Sequence, residues 1–397
     1  MPDIPKGYKQ TEVGVIPEDW EVSSLDEVCS MKSGEGITAA RIDIYSTYPC
    51  YGGNGIRGYT SRFTHDGDYA LIGRQGALCG NVVGLSGKFF ASEHAVVVTP
   101  RAGTDIRFLT YILGKMRLNR YSESSAQPGL SVSKVLMLPV ATPAAETEQR
   151  AIAAALSDAD ALLEGLDRLI AKKRDIKQAA MQQLLTGQTR LKGFEGKWEV
   201  KRLEELGSTY GGLTGKTKAD FGVGTGRYVT FMNIMTNVVI DCGSVEHVQV
   251  SPSEFQNRVS AGDLLFNGSS ETPEEVAMCS FMASDVPNLF LNSFCFGFRH
   301  RDEQQADGLF LAYYIRANPG RELMKSLAQG STRYNLSKGA LMEAAIRLPR
   351  KDEQTAIAAV LSDMDAEIEA LEQRRAKTAD LKQAMMQELL TGRTRLV

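Results

Sequence analysis

The chain has 397 residues, 43% apolar and 23% charged, with a formal net charge of −3. That length calls for two or more domains, and the composition is that of a soluble globular protein. No apolar run is long enough to cross a membrane, and a net charge near zero excludes a globally basic nucleic-acid binder, so any basic surface must be local.

The opening segment, MPDIPKGYKQ, lacks the apolar core of a signal peptide. Six cysteines (29, 50, 79, 242, 279 and 295) show neither CxxC pairs nor metal spacing. A reduced cytoplasmic protein with no membrane association is the simple reading. Within residues 1–145, Trp20-Glu21-Val22 with Leu25 opens a globular region. Short β-type runs, YALIGRQG and AVVVTP, are punctuated by Gly and Asn. The region closes on LSVSK (Leu130–Lys134), a strand-like run and Pro143.

Residues 146–190 then read as one long helix. Apolar side chains recur at Ile152, Leu156, Ala159, Leu163, Leu166 and Ile170, alternating steps of four and three. That is a heptad stripe. Thr147 can cap its first N–H groups, and Gly187 follows its last turn as a left-handed stop.

Residues 191–350 form a second globular region. Its Trp198-Glu199-Val200 with Leu203 repeats the start of the first, and Gln188-Thr189 repeats Gln10-Thr11 at the same offset. The β-type runs RYVTFMNI, DLLFNGSS and LFLNSFCFGF differ from those of the first region, but the ending NLSK (Asn335–Lys338) resembles LSVSK. Similar ends with dissimilar middles suggest one scaffold, dominated by a twisted sheet, that carries two specificities.

Residues 351–397 repeat the helix. Glu353–Leu396 lies on Glu148–Leu191 without a gap, and about 28 of 44 positions are identical. The second stripe is Ile357, Leu361, Met364, Ile368 and Leu371, with Asp352 as cap and Gly392 as stop. Each copy is acidic first and basic later: Asp158, Asp160, Glu164 and Asp167 precede Lys172, Lys173, Arg174 and Lys177. Parallel pairing would oppose like charges. Antiparallel pairing sets acid beside base along the whole length. The seam turns polar near Lys173, Arg375 and Thr378.

Against this reading the chain resembles the specificity subunit of type I DNA restriction–modification systems. The first region carries YPCYGGNGIRGY, YALIGRQGALCGNV and SSAQPGLSVSK. The second carries GLTGKTKADFGVGTGRYVTFMNI, GDLLFNGSSET, LNSFCFGFR and GSTRYNLSK, and both helices end LTGxTRL. The resemblance covers nearly the whole chain in the family's domain order. It implies an α+β fold: two mixed α/β target-recognition domains separated by two long antiparallel helices, related by a pseudo-twofold. It also implies double-stranded DNA as ligand, with each domain reading one half of a split site. The helices would set the gap and dock two modification (methyltransferase) subunits, with two restriction motor–nuclease subunits in the full complex. The subunit itself would be non-catalytic, with S-adenosylmethionine, ATP and Mg on the partners.

Base edges are read by Arg, Asn and Gln, and phosphates by Lys, Ser, Thr and backbone N–H. Polar residues of that chemistry in the first region are Tyr51, Asn54, Arg57, Arg74, Gln75, Asn81, Gln127, Ser131 and Lys134. In the second they are Lys216, Thr217, Lys218, Arg227, Asn233, Asn267, Ser269, Ser270, Arg333, Tyr334, Asn335 and Lys338. The resemblance favours the Gln127–Lys134 and Ser331–Lys338 loops most. For any one residue the bland alternative is a solvated loop side chain or a turn-forming Asn.

Several segments imitate catalytic motifs. GGLTGKT (Gly211–Thr217) lacks the first glycine of a phosphate loop, because Tyr210 stands there. FGVGTG (Phe221–Gly226) follows Lys218-Ala219-Asp220 rather than a buried strand, which weakens it as a cofactor loop. Asn318-Pro319 is followed by Gly320, so the Asn/Asp-Pro-Pro-aromatic segment of an adenine methyltransferase is missing. The four histidines (65, 94, 247 and 300) have no paired spacing, and His94 beside Glu93 reads as structural. A self-sufficient methyltransferase using Phe221–Gly226, and a coiled-coil scaffold without DNA, are the alternatives from other classes.

Overall fold

The heptad segments fold as two 39-residue helices, Glu146–Leu184 and Lys351–Leu389. At about 1.5 Å rise per residue each is roughly 58 Å long. Both start two residues earlier than caps at Thr147 and Asp352 imply, so those two residues sit in the first turn. Asp352 still accepts a hydrogen bond from the Glu353 amide at 2.9 Å. The computed structural model describes residues 4–53, 55–76, 78–123, 128–302 and 304–396.

The chain divides into two compact units, Met1–Arg168 with Glu372–Val397, and Leu169–Leu371. Each unit therefore holds half of each long helix. In the first unit Arg375 Nε donates to Asp167 at 2.9 Å and Lys382 pairs with Asp160. In the second, Lys173 meets Glu367 at 2.6 Å and Lys177 pairs with Asp365. Partner numbers fall along one helix as they rise along the other, so the segments run antiparallel within each unit, acid beside base. Ile152 and Leu156 are buried in the first unit's core with Leu389 and Leu390, and Ile357 and Leu361 in the second's with Leu184 and Leu185.

The helix ends close each unit by the same device. Gly187 and Gly392 take φ of +71° and +70°. A Cβ at Gly187 would press on the Trp198 ring at 3.1 Å, and one at Gly392 on Pro17 and Trp20. Beyond these turns Arg190 forks onto Glu353, and Arg395 onto Glu148. Both carboxylates are buried, at 2% and 3% exposure. Near the helix starts, Gln149 Oε1 accepts from the Asp105 amide and Gln354 Oε1 from the Asp307 amide, both at 2.9 Å. Tyr111 and Tyr313 donate to Asp160 and Asp365 at 2.7 and 2.6 Å.

The middles, so different in sequence, share a topology. In the first unit an antiparallel sheet runs Cys29–Ser33, Ala95–Pro100, Tyr69–Gly73, Val82–Leu85. In the second the order is Gly207–Gly211, Cys295–His300, Leu264–Asn267, Cys279–Phe281. Beside each lies a mixed sheet. Lys88–Ala91 runs parallel to Tyr48–Gly52, which pairs antiparallel with Gly55–Thr60. Leu289–Leu291 runs parallel to Phe221–Val229, which pairs antiparallel with Val245–Val248. The central strands are buried along consecutive residues, Leu71–Gly73 and Ala95–Val98 in one unit and Leu264–Asn267 and Cys295–Phe298 in the other, so these ladders ask for small or apolar side chains on both faces and survive exchange of one such residue for another. A short closing ladder, Trp20–Ser24 with Pro139–Pro143 or Glu199–Arg202 with Ala345–Leu348, ties each region's start to its end.

All six cysteines are free thiols. No helix among the described residues is long and apolar enough to cross a membrane.

Candidate nucleic-acid interface

The loop before each region's last short helix is pinned to the same place. In the first unit the Leu130 amide donates to the Arg74 carbonyl at 3.0 Å. In the second the Leu336 amide donates to the Gly268 carbonyl at 3.0 Å. Arg74 and Gly268 each lie immediately beyond the sheet strand that precedes them, Tyr69–Gly73 and Leu264–Asn267. Ser131 and Ser337 then precede the helices Val132–Leu136 and Lys338–Glu343. The two loops that the sequence favours thus sit at equivalent ends of equivalent sheets, carrying different side chains.

Around the first loop several candidates converge. Gly76 donates to Pro128, and Gln75 bridges Gly129. A Cβ on Gly53 would lie 2.9 Å from the Gln75 carbonyl, so the tip of the Tyr48–Thr60 hairpin rests on this strand end. Arg57 lays its stem over Gly52 and leaves its guanidinium exposed. Gln75 and Asn81 are exposed, and Asn81 joins the cluster through its carbonyl, which accepts from Gly73 at 2.9 Å. Arg74 is half-buried and reaches Ser33 Oγ at 3.1 Å. Ser131 hydrogen-bonds Ser133, and Lys134 is exposed beside Glu123 at 2.7 Å. Asn54 and Gln127 lie outside the described residues.

The second cluster is built on a two-stranded ladder, Ser269–Ser270 with Tyr334–Asn335. Arg333 is exposed, with its guanidinium 5.7 Å from the Phe294 ring centre and Nε 3.3 Å from Ser269 Oγ. Asn335 is exposed, and Tyr334 is half-buried. Lys338 is exposed at the helix start, its Nζ poised over Gly211. Lys218 is also exposed and has no partner among the described residues, but no contact joins it to this cluster.

The structure withdraws several candidates. Asn267 is fully buried, and its amide nitrogen donates to the Ser269 and Glu275 carbonyls. Asn233 is buried; it donates to the Asp241 and Ser244 carbonyls and accepts from the Asp241 amide, closing a loop. Lys216 has a side chain only 4% exposed, held by Glu254 at 2.5 Å and the Gln249 carbonyl at 2.6 Å. That ammonium, with its neighbouring hydrogen bonds, pulls the Glu254 carboxyl down to about 2. Thr217 caps the turn Lys218–Asp220, bonding Asp220 through amide and hydroxyl. Ser270 is buried against Glu275. Tyr51 packs edge-on to Phe89 at 6.0 Å, and burial pushes its phenol up. Arg227 is not withdrawn: it is half-buried and donates one guanidinium nitrogen to the Pro287 carbonyl at 3.1 Å. Each was a polar residue in a glycine-rich stretch, and sequence alone does not separate a residue that builds the loop from one the loop presents.

Neither decoy motif has the geometry of a glycine-rich phosphate loop. Phe221–Gly226 runs inside a strand with a bulge, so no helix N-terminus faces its glycines. Lys216 is engaged as above. His94 pairs with Glu93 at 3.2 Å on the surface.

Residues missed by sequence reasoning are mostly exposed apolar ones. Ile44 and Tyr45 stand at a turn, Phe255 is fully exposed, and Phe294 lies under Arg333. The one available signal was Asp43-Ile44-Tyr45-Ser46, an Asx-turn pattern.

The family model for the type I restriction modification DNA specificity domain matches residues 17–172 and again 195–378. The chain belongs to this family. Each matched stretch takes in one sheet-bearing region and more than half of the long helix that follows it. The EcoprrI type I restriction enzyme specificity subunit of Escherichia coli is 46% identical over 163 residues, 40% of this chain and 39% of that protein. A putative type I restriction enzyme specificity subunit of Haemophilus influenzae is 27% identical over 31% of this chain and 33% of its own length. The matched stretches thus span two fifths or less of these curated relatives. Among solved structures, the S subunit of the M. genitalium type I restriction-modification system aligns with a TM-score of 0.65 at 16% identity, covering 93% of this chain and 96% of that one. A chain from work on complex assembly and conformational transition of the type I R-M system aligns at 0.56 and 17% identity, covering 95% and 99%. At those identities the likeness speaks to the specificity-subunit fold alone.

Proposed function

We propose that this chain is the DNA-reading subunit of a type I restriction–modification complex. Each specificity domain reads one half of a split double-stranded site. The observation that carries this reading is the equivalent placement of the 128–134 and 331–338 loops, one scaffold position furnished with unlike side chains. Arg57, Gln75, Asn81 and Lys134 serve one half-site; Arg333, Asn335 and Lys338 serve the other. Because the two sets differ, the two half-sites differ. Phosphate contacts from Lys134 and Lys338 fix register, while Gln75, Arg333 and Asn335 have the fork and amide geometry that discriminates bases.

The long helices, shared by both units, set the gap between half-sites and present matching surfaces to two modification subunits. Two motor–nuclease subunits complete the assembly. S-adenosylmethionine, ATP and Mg belong to those partners, and this chain contributes no catalytic group. The proposed setting is the cytoplasm.

The test maps methylated adenines in DNA from cells carrying the system. It then footprints the chain, with its modification subunits, on a duplex bearing the mapped site. Protection of two separated half-sites supports the proposal. Protection that ignores sequence, or methylation by the purified chain alone, overturns it.

A further inference from the structure

The short ladder of the second unit ends on two opposite charges. Its register, Ser269 with Asn335 and Ser270 with Tyr334, sets Glu271 across from Arg333 one residue further on. Directly opposed residues of an antiparallel pair hold their Cβ atoms about 5 Å apart. Both side chains are exposed, yet no ion pair joins them among the described residues. The Arg333 guanidinium lies over the Phe294 ring instead, with its Nε toward Ser269 Oγ, and Glu271 has no partner among the described residues. The neighbouring acids are engaged: Glu275 accepts from Ser270 Oγ at 3.0 Å, and Glu274 meets Lys325 at 2.8 Å.

A groove of about 880 Å³ opens beside this pair, with Phe231, Met232, Met235 and Met278 along its apolar side. Two half-buried arginines hold its walls from behind. Arg316 donates to the Met235 and Asn237 carbonyls at 3.3 and 2.8 Å, and Arg321 to the Glu274 and Ala277 carbonyls at 3.0 and 3.1 Å. The groove presents Glu271 and Glu275 beside one guanidinium, so it is not a phosphate site. A carboxylate that faces DNA is repelled by every phosphate, and only a base that offers it a hydrogen-bond donor offsets that repulsion. In the major groove, which admits a two-stranded ribbon, those donors are the exocyclic amines of cytosine and adenine. Arg333 narrows the choice to one. An arginine fork fits the O6 and N7 acceptors of guanine, and the base paired with guanine presents the N4 amine of cytosine beside them. The apolar side of the groove keeps water from such a contact, which strengthens it.

We propose that Glu271 and Arg333 read one G·C pair as a unit, Arg333 donating to the guanine and Glu271 accepting from the N4 amine of its cytosine. This rests on the DNA-reading function proposed above. It adds a residue to the specificity set and assigns one base pair of the half-site read by the second unit.

The experiment measures the affinity of the full-length chain, with its modification subunits, for duplexes in which each pair of both half-sites is replaced in turn by the other three. Wild-type protein is expected to bind about 10- to 100-fold more weakly when one particular G·C pair becomes A·T, because Glu271 then faces the O4 acceptor of thymine. Glu271→Gln supplies an amide that donates to that O4, and is expected to narrow the A·T penalty at that pair by about tenfold. Arg333→Ala is expected to relax the same pair. Placing 7-deazaguanine there should weaken binding by the wild type and leave Arg333→Ala unaffected. Unaltered preference in Glu271→Gln, or relaxation at a different pair from the one that Arg333→Ala relaxes, overturns the joint reading. Equal weakening on every duplex also overturns it, making Glu271 a support of the loop. Preference retained in one half-site with no G·C pair sensitive to Arg333 overturns this proposal and leaves the DNA-reading function standing. A wild-type complex with no preference at any pair refutes that function, and the joint reading falls with it.

Discussion

Arg395 offers a perturbation whose size follows from the structure. Its guanidinium donates to Glu148 Oε1 at 2.5 Å and Oε2 at 2.8 Å, and to Asp19 at 2.8 and 2.7 Å. Glu148 is 3% exposed while Asp19 is 63% exposed, so the two partners count differently. Losing the Asp19 contact costs under about 1 kcal/mol, as for surface pairs. Arg395→Ala also strands a buried carboxylate, which costs about 3–5 kcal/mol. Arg395→Met with Glu148→Leu removes both charges and recovers most of that loss. The chain provides its own reporter, because it has two tryptophans, Trp20 in the first unit and Trp198 in the second. Neither indole N–H has a partner among the described residues, so Trp198→Phe deletes no hydrogen bond there and leaves Trp20 to report the first unit. Urea unfolding followed by Trp20 fluorescence should show the 3–5 kcal/mol loss for Arg395→Ala, and the matching change at Arg190, paired with Glu353, should act on the second unit. A shift below about 1 kcal/mol, or a double variant as unstable as the single one, refutes the reasoning.

Lys338→Ala should weaken binding across all sequences and lower the salt slope by about one phosphate contact, whereas Arg333→Ala should relax discrimination at one position of the second half-site; salt titrations on matched and mismatched duplexes separate the two. Asn233→Ala should instead lower second-unit stability by about 1–3 kcal/mol and leave base preference alone, because it removes a buried amide that bonds the Asp241 and Ser244 carbonyls and the Asp241 amide; altered specificity at full stability would contradict that. Glu254 has its folded pKa depressed to about 2, so its tie to Lys216 contributes stability above about pH 4.5 and loses it as pH falls toward 2; carboxyl NMR should show a midpoint near 2 in the native chain, rising in Lys216→Met but staying below the ordinary value, because the Ser251 amide and Gln256 bonds remain. Seven residues inserted into each long helix add about 10.5 Å, roughly three base pairs at about 3.4 Å each, so the gap between half-sites should widen by about three pairs with their sequences unchanged; methylation mapping that finds the old gap removes the spacer role.

Much of this fold was legible because long-period signals are robust. The stripe from Ile152 to Ile170 and its duplicate define helices whatever surrounds them, and opposed charge halves admit only one pairing direction. Gly187 and Gly392 marked the helix stops because a left-handed turn demands such residues. The sheets were harder. Short β runs gave the class but not the order, and the shared topology of the two middles lay hidden beneath different side chains. The candidate interface was legible as loops and not as residues. Loop geometry decides whether an Asn builds or presents, as Asn267 and Asn335 show, fully buried and exposed respectively although a paired ladder joins their neighbourhoods. Lys216 read as a phosphate ligand because nothing in the sequence reveals that Glu254, far along the chain, folds onto it. Tyr45 was overlooked because an exposed aromatic carries no period.

Two unlike reading units on one repeated scaffold is the claim on which the rest depends. Its most direct measurement replaces residues 198–349 with the corresponding region of another family member and maps methylated adenines genome-wide. A new sequence is expected in one half-site, with the other half-site retained. A change in both halves, or in neither, would contradict it.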